Sequence, residues 1–470
     1  MMHWSRQNFF AVFALLCCGL ISSLSGDAPR VIILFTADNI GPGDLDQERI
    51  ELPNLKFLQE QSTRFDNYHS SSPLKSSAFY SLYTGIDTGK HAYRDTAQTY
   101  LSLAENTPLI AKKLLELKYE TVFSGSWPFG ENEDLLPSKF GFNYFYGYFN
   151  RPDQHPRFPS SLQFNQDKIE LSNIFIPRNY KFSPDSEVDK PSIYQQFQGK
   201  EYAPKTVHRA LLNFLRKKLE AKEKLFLHYG QSGLRPGLQP NPDDLKITLG
   251  RIPDIPYAGQ KGYTPSFSPR AAQMALLIEM DRQLGDLIKL LKDLEIFDQS
   301  LIIFTSPNSV SENGGRDIQF FSSNQELKGS RGSLFQGGLR IPCIAYWPEL
   351  LKKNHRNSDL MSQTNLLQSI TSVATGENKP IFLPQAELYW ENEAFRALRK
   401  GKYKLIQKKS LLTPSYVQLY DLEADPSEAN NIAEDKAEDL KTLIELADSL
   451  HINIPSHPSP FDLAPAEAAN

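Results

Sequence analysis

Val31-Ile-Ile-Leu-Phe-Thr36 is an unbroken run of β-branched and apolar residues. A strand with one wet face alternates polar and apolar positions. A run with no polar break reads as a strand buried on both faces, as in a parallel sheet covered by helices. The stretch continues as Thr36-Ala-Asp-Asn-Ile-Gly-Pro-Gly-Asp44, which places an acidic residue and then a glycine turn at the carboxyl end of the strand. Ligands of open α/β sheets gather at those ends, so Asp38 is a natural metal anchor. It can equally cap a turn beside Gly41 and Gly43.

Outward from this strand, helical patterns alternate with apolar runs. Thr107 to Lys118 is amphipathic and feeds Glu120-Thr-Val-Phe123. Lys205 to Leu219 feeds Leu225-Phe-Leu-His-Tyr229, and Ala271 to Leu294 feeds Leu301-Ile-Ile-Phe304. Leu339 to Tyr346 reads as another core strand. Strand–helix–strand alternation predicts a parallel sheet with helices on both faces. Residues 151–202, rich in Pro, Asn, Ser and aromatics with no sustained period, read as a long insertion over the sheet edge. From about Asn378 the pattern changes. Ala397 to Ile406 and Val417 to Leu422 look like antiparallel strands, and Lys436 to Leu450 like a closing helix. The expected fold class is α/β, a large mostly parallel sheet flanked by helices, with a small C-terminal α+β subdomain. The expected division is 27–377 and 378–470.

Residues 1–26 read as a signal peptide: Arg6, then the apolar run Phe9 to Ile21, then small residues to Gly26. The run is short for a membrane span, so the expected location is the periplasm or the exterior, with no membrane contact beyond the export signal. Two of the three cysteines fall in that segment, so the mature chain keeps Cys343 alone and has no internal disulfide. Cys343 lies in an apolar run and reads as a buried strand residue. The net charge of -4 with no block of one sign argues against nucleic acid as a partner.

Several segments, in order, carry a resemblance. The strand end at Asp38 to Asp44 is one. Ser81-Leu-Tyr-Thr-Gly85, Gly141-Phe-Asn-Tyr-Phe-Tyr-Gly147 and the loop from Leu327 to Pro342 follow, with Gly401-Lys-Tyr-Lys-Leu405 and Leu419 to Pro426 near the end. Together they resemble the sulfatase family over nearly the whole mature chain. That resemblance implies an alkaline-phosphatase-like sandwich. It also implies a formylglycine nucleophile made from Cys or Ser, a calcium ion held by carboxylates and an amide, and assisting Lys and His residues.

Position by position, the implied machinery is eroded. Asp38 matches the first metal aspartate, Asn39 replaces the second, and Asn308 follows Pro307 where the family has another aspartate. One carboxylate and two amides are a poor set for a hard dication, so calcium is expected to bind weakly or not at all. Ser71-Ser-Pro-Leu-Lys75 fits the nucleophile motif with Lys for Arg, but Thr84-Gly85 then comes four residues late. Aligning on Ser81 to Gly85 instead places Lys75 at the nucleophile and Phe79 at the arginine. Neither register has a cysteine, so formylglycine is not expected. The Lys and His of a further motif become Ser126 and Pro128, a sulfate-side histidine becomes Leu234, and Arg331 stands for a late lysine. His91 is either a remnant substrate histidine or a packed one. Arg331 and Lys328 either bind an anion or are solvated loop charges.

Two functions follow. The first is an exported pseudo-sulfatase, impaired or inactive, that binds a sulfated polysaccharide, another anionic glycan or a protein partner. The second is an active sulfuric ester hydrolase, arylsulfatase-like or acting on polysaccharide, that uses Ser71 with Lys75 and Arg331. Fold and chemistry are separable, and the substitutions favour the first.

Overall fold

A computed structural model describes residues 27–94, 103, 106–149, 155–377, 380–410, 413–455 and 458–462. The expected signal peptide lies outside the described residues. No helix among them is long and apolar enough to cross a membrane.

Six strands form the heart of the main sheet: β1 (Val31–Ala37), β2 (Glu120–Trp127), β3 (Tyr144–Phe149), β4 (Leu225–Gln231), β5 (Ser300–Thr305) and β6 (Cys343–Tyr346). Their spatial order is β6-β5-β1-β4-β2-β3. Every pair from β5 to β3 is parallel, and β6 is antiparallel to β5. Two short strands extend each edge, giving ten in all. β1 is buried at every position, and its residues alternate between two cores. Val31, Ile33 and Phe35 face one, and Ile32 and Leu34 face the other. This is the double burial that the unbroken apolar run implied.

Seven helices matter to the layers: α1 (Pro53–Gln61), α2 (Lys75–Thr84), α3 (Ile110–Glu116), α4 (Ala203–Glu220), α5 (Pro269–Asp293), α6 (Leu366–Ala374) and α7 (Ala437–Leu450). α1, α4 and α5 cover one face of the sheet, and α2, α3 and α6 cover the other. Helix, strand, helix layering of this kind places all strand ends of the parallel core on one edge. The loops that build the cleft grow from there.

Two expectations change. Leu339 to Tyr346 is not one strand: Gln336–Leu339 is a helical turn, and the strand begins only at Cys343 after Pro342. A proline cannot donate to the ladder and breaks such a run. Residues 155–202 of the 151–202 segment are also more ordered than the lack of period suggested. Ser161–Phe164 and Asp167–Glu170 pair antiparallel at the sheet edge. Phe158, Phe182, Tyr194, Phe197 and Tyr202 form a small aromatic core of their own. Cys343 is buried in β6, where burial raises its thiol pKa.

The C-terminal part is a four-stranded antiparallel sheet of β7 (Glu387–Glu391), β8 (Phe395–Lys400), β9 (Tyr403–Lys408) and β10 (Tyr416–Asp421). α7 packs on it through Leu443 and Ala447. His451, just beyond α7, bonds Glu391 Oε2 (2.8 Å) and Asp462 Oδ1 (2.7 Å), and Arg94 meets Glu391 from the main domain. The bond to Glu391 raises the His451 pKa. A raised folded pKa contributes stability that is complete below the unfolded value near about 6.5 and is lost as pH climbs through the folded one. Hydrogen exchange in β7 should therefore speed up as pH rises through that window, after correction for intrinsic exchange. His451→Gln should remove the dependence, and an unchanged profile in that variant would assign it elsewhere.

Candidate anion site at the strand ends

β1 runs straight into the site. Asp38 donates its backbone N–H to the Gln231 carbonyl (3.2 Å) and accepts from Leu234 N–H (2.9 Å), so the loop after β4 grips the corner after β1. Gly233 makes that grip possible. Its φ is +51°, and a Cβ there would lie 2.2 Å from the Asp38 carbonyl oxygen. Asn39 takes the left-handed conformation (φ 59°), one that asparagine tolerates better than most side chains. The turn after β5 is fixed by Ser306, whose hydroxyl donates to the Asn308 carbonyl (2.7 Å) and accepts from Ile40 N–H (3.3 Å).

Lys75 is the first residue of α2, and its Nζ lies 2.5 Å from Asp38 Oδ2. Both side chains are nearly buried, 10% and 5% exposed. Burial pulls the Lys75 pKa down to about 7 against the upward pull of Asp38, with Arg235 and Arg331 adding to the fall. For Asp38, burial pushes upward, but Lys75, Arg331 and Arg235 prevail and hold the carboxyl below its ordinary value. With its amide turned to suit both neighbours, Asn308 donates to Asp38 Oδ1 (2.7 Å) and accepts from Arg331 Nε (2.8 Å). Arg331 Nη1 also reaches Asn39 Oδ1 at 3.4 Å.

A second ion pair backs this layer. Arg316 Nη2 lies 2.5 Å from Asp44 Oδ2, both side chains are fully buried, and Arg316 also donates to the Asn39 carbonyl. Asp44 further accepts from Gly41 N–H (2.8 Å) and the Ser323 hydroxyl (2.7 Å).

Above the corner is a cleft of about 530 Å³. Lys75, Arg331, Arg235 and Arg178 line it, the last contributed by the insertion, and Glu131 is the acidic residue on its wall. Arg178 stacks over Tyr263 at 5.2 Å. No histidine lines the cleft among the described residues. The donor set does not suit a dication. Asp38 already holds an ammonium, the amide oxygens face a guanidinium, and no group of three or more His, Cys, Asp or Glu able to hold a metal occurs among the described residues. Several converging cations around one carboxylate suit an oxyanion instead.

Residues 29–376 match the family model for sulfatases. The chain belongs to the sulfatase family. It is 24% identical to the N-acetylgalactosamine-6-O-sulfatase of Bacteroides thetaiotaomicron, over 90% of this chain and 93% of that one. Among solved structures, Ps i-CgsB in complex with k-i-k-neocarrahexaose matches with a TM-score of 0.69 at 20% identity, covering 90% and 92% of the two chains. The sulfatase PsFucS1 from Pseudoalteromonas sp. matches with a TM-score of 0.65 at 19% identity, covering 95% and 94%. These structures share the α/β fold.

Within this sulfatase-family frame, Asp38, Asn39, Lys75, Asn308 and Arg331 come together in one cluster. Ser71 does not join them. Its hydroxyl donates to Gln363 Oε1 (3.1 Å) and the Ala78 carbonyl (3.3 Å), and it lines a different cavity, near Trp390. Lys75 begins α2 and faces the cleft, and Phe79 is buried in the core. Leu234 is turned into the opposite core. His91 is packed, bonded to Ser81 Oγ (2.9 Å), and burial with Arg94 nearby drives its pKa down to about 3. Lys328 reaches the Glu428 carbonyl (2.8 Å) and so ties down the C-terminal part. Sequence reading passed over Arg235, Arg178 and the Asp44–Arg316 pair. Asp44 stands inside the quoted stretch after the first strand and Arg235 follows Leu234, but nothing in their spacing assigns them a role.

Proposed function

We propose that this sulfatase-family chain is an exported protein that captures sulfated glycans and has lost the family's hydrolytic chemistry. The observation that supports this most is Lys75 Nζ on Asp38 Oδ2 at 2.5 Å. An ammonium stands at the start of α2, where one register of the resemblance expects a nucleophile, and the carboxylate expected to anchor calcium is already paired. Ser126, Pro128 and Leu234 supply neither the general acid nor the general base that leaving-group departure requires. The cationic cleft remains, open and walled by Arg178, Arg235 and Arg331. The named relatives, an N-acetylgalactosamine-6-O-sulfatase and a protein solved with a neocarrahexaose, support a sulfated sugar as the ligand class.

The test is calorimetry of the mature chain with sulfated galactosaminoglycan and carrageenan oligosaccharides and their desulfated counterparts, beside an aryl sulfate assay with added calcium. The expected result is binding of the sulfated forms alone, weakening as salt rises, with no turnover. Turnover that Ser71→Ala abolishes would establish the hydrolase instead. Equal affinity for desulfated sugar would also overturn the reading.

A further inference from the structure

Four side-chain oxygens converge where β1 and β5 end: both oxygens of Asp38, Oδ1 of Asn39 and the amide oxygen of Asn308. Oxygens of this kind would ordinarily make a hard-cation site. Each already meets a donor of the same chain. Asp38 Oδ2 holds Lys75 Nζ, and Asp38 Oδ1 accepts from the Asn308 amide. The Asn308 oxygen accepts from Arg331 Nε, and Asn39 Oδ1 is reached by Arg331 Nη1.

We propose that the Lys75 ammonium and the Arg331 guanidinium form a built-in cation that replaces a divalent metal, so the cleft holds an oxyanion without one. The inference rests on the anion-capture reading above and goes further by naming what holds the anion. Two physical arguments carry it. First, a metal entering this cluster would have to displace an ammonium from its carboxylate while meeting Arg331 and Arg235. With a single carboxylate present, the cluster is net positive before any ligand arrives. Second, both cations are anchored for anion capture. Lys75 is fixed by the start of α2, and the Arg331 backbone N–H donates to the Val310 carbonyl at 2.6 Å. Their outer faces line the cleft beside Arg235 and Arg178. Asp38 thereby changes its role: it aims the ammonium and partly neutralises it.

That change alters the expected outcome of one mutation. At a metal-dependent site, Asp38→Asn removes the main ligand charge and with it the anion. At a site with a built-in cation, the same change also takes away the carboxylate that helps to keep the Lys75 amine charged, but Arg331 and Arg235 remain, so anion binding survives.

The experiment is titration of the full mature chain with inorganic sulfate in slightly acidic, low-salt buffer, once in excess chelator and once with millimolar calcium. The expected dissociation constants agree within about twofold. Lys75→Met and Arg331→Met should each weaken sulfate by at least about tenfold, the loss of one charge-assisted contact. Asp38→Asn should still bind sulfate, no more weakly than Lys75→Met. Sulfate binding that needs calcium overturns the built-in cation and leaves glycan capture standing. Failure of the parent to bind sulfate in either buffer overturns the built-in cation as well. So does loss of sulfate by an Asp38→Asn chain that melts like the parent. If Asp38→Asn does not fold, the comparison of chelator with calcium on the parent decides alone.

Discussion

Arg316→Ala is expected to cost about 3–5 kcal/mol of folding stability, because it strands a buried carboxylate. Arg316 and Asp44 are both fully buried, and their contact ties the turn after β1 to the loop that follows β5. With the guanidinium gone, Asp44 keeps its bonds from Gly41 N–H and Ser323 but has no counter-charge. Urea denaturation measures the loss. Asp44→Ala should be similarly severe, and the double variant should be much less harmful than the sum, since each single change leaves the other charge unpaired. A loss below about 1 kcal/mol, the range of exposed pairs, would show that the pair adds little. Arg316 also donates to the Asn39 carbonyl, so sulfate binding should weaken in this variant even where it remains folded.

Glu428→Ala should be comparably destabilising, about 3–5 kcal/mol, but should leave the anion cleft intact. Glu428 and Lys404 are both fully buried, 2.7 Å apart, and Glu428 Oε2 accepts from the Gln336 N–H at 2.6 Å. One carboxylate therefore links β9 of the C-terminal sheet to the turn that precedes β6. Burial already holds the Lys404 pKa down at about 8 although Glu428 lifts it. Without Glu428 the amine drops further and becomes neutral in the fold. A lysine with a lowered folded pKa destabilises most where the unfolded chain is protonated. The cost relative to the parent should therefore shrink as pH rises toward about 8, above which Lys404 is neutral in both folded forms. Denaturation curves at several pH values test this; a penalty independent of pH would mean that Lys404 stays charged.

The sheet was legible in the sequence because its central strands are buried on both faces, and such strands leave unbroken apolar runs. Val31 to Thr36 and Leu225 to Tyr229 are of this kind. α4 and α5 were legible through their spacing, for they lie on the sheet with one face each. The short strand Ser161–Phe164, one in from the sheet edge, escaped because it is partly exposed and carries no clean alternation. The site was legible only as an ordered set of motifs. Asp38, Lys75, Asn308 and Arg331 come from four separate segments, and no local period links them. What the order of motifs could not supply was register. Two alignments of the segment from Ser71 to Gly85 are open, and each breaks the motif at a different place. In the fold, the start of α2 directs Lys75 to Asp38 and leaves Ser71 against Gln363.

The position of β1 also bears on how the chain is made. Val31 is paired with Leu225 on one side and Ser300 on the other. Among the described strands β1 is synthesised first, yet it lies in the middle of the finished sheet, and its two neighbours begin only at Leu225 and Ser300. At ordinary translation rates the interval is on the order of ten to fifty seconds. Throughout it, a wholly apolar segment lacks its partners, and closing those long chain loops is entropically slow even once they emerge. Productive folding therefore belongs to the completed chain, and a fragment ending before β5 retains an uncovered, aggregation-prone strand.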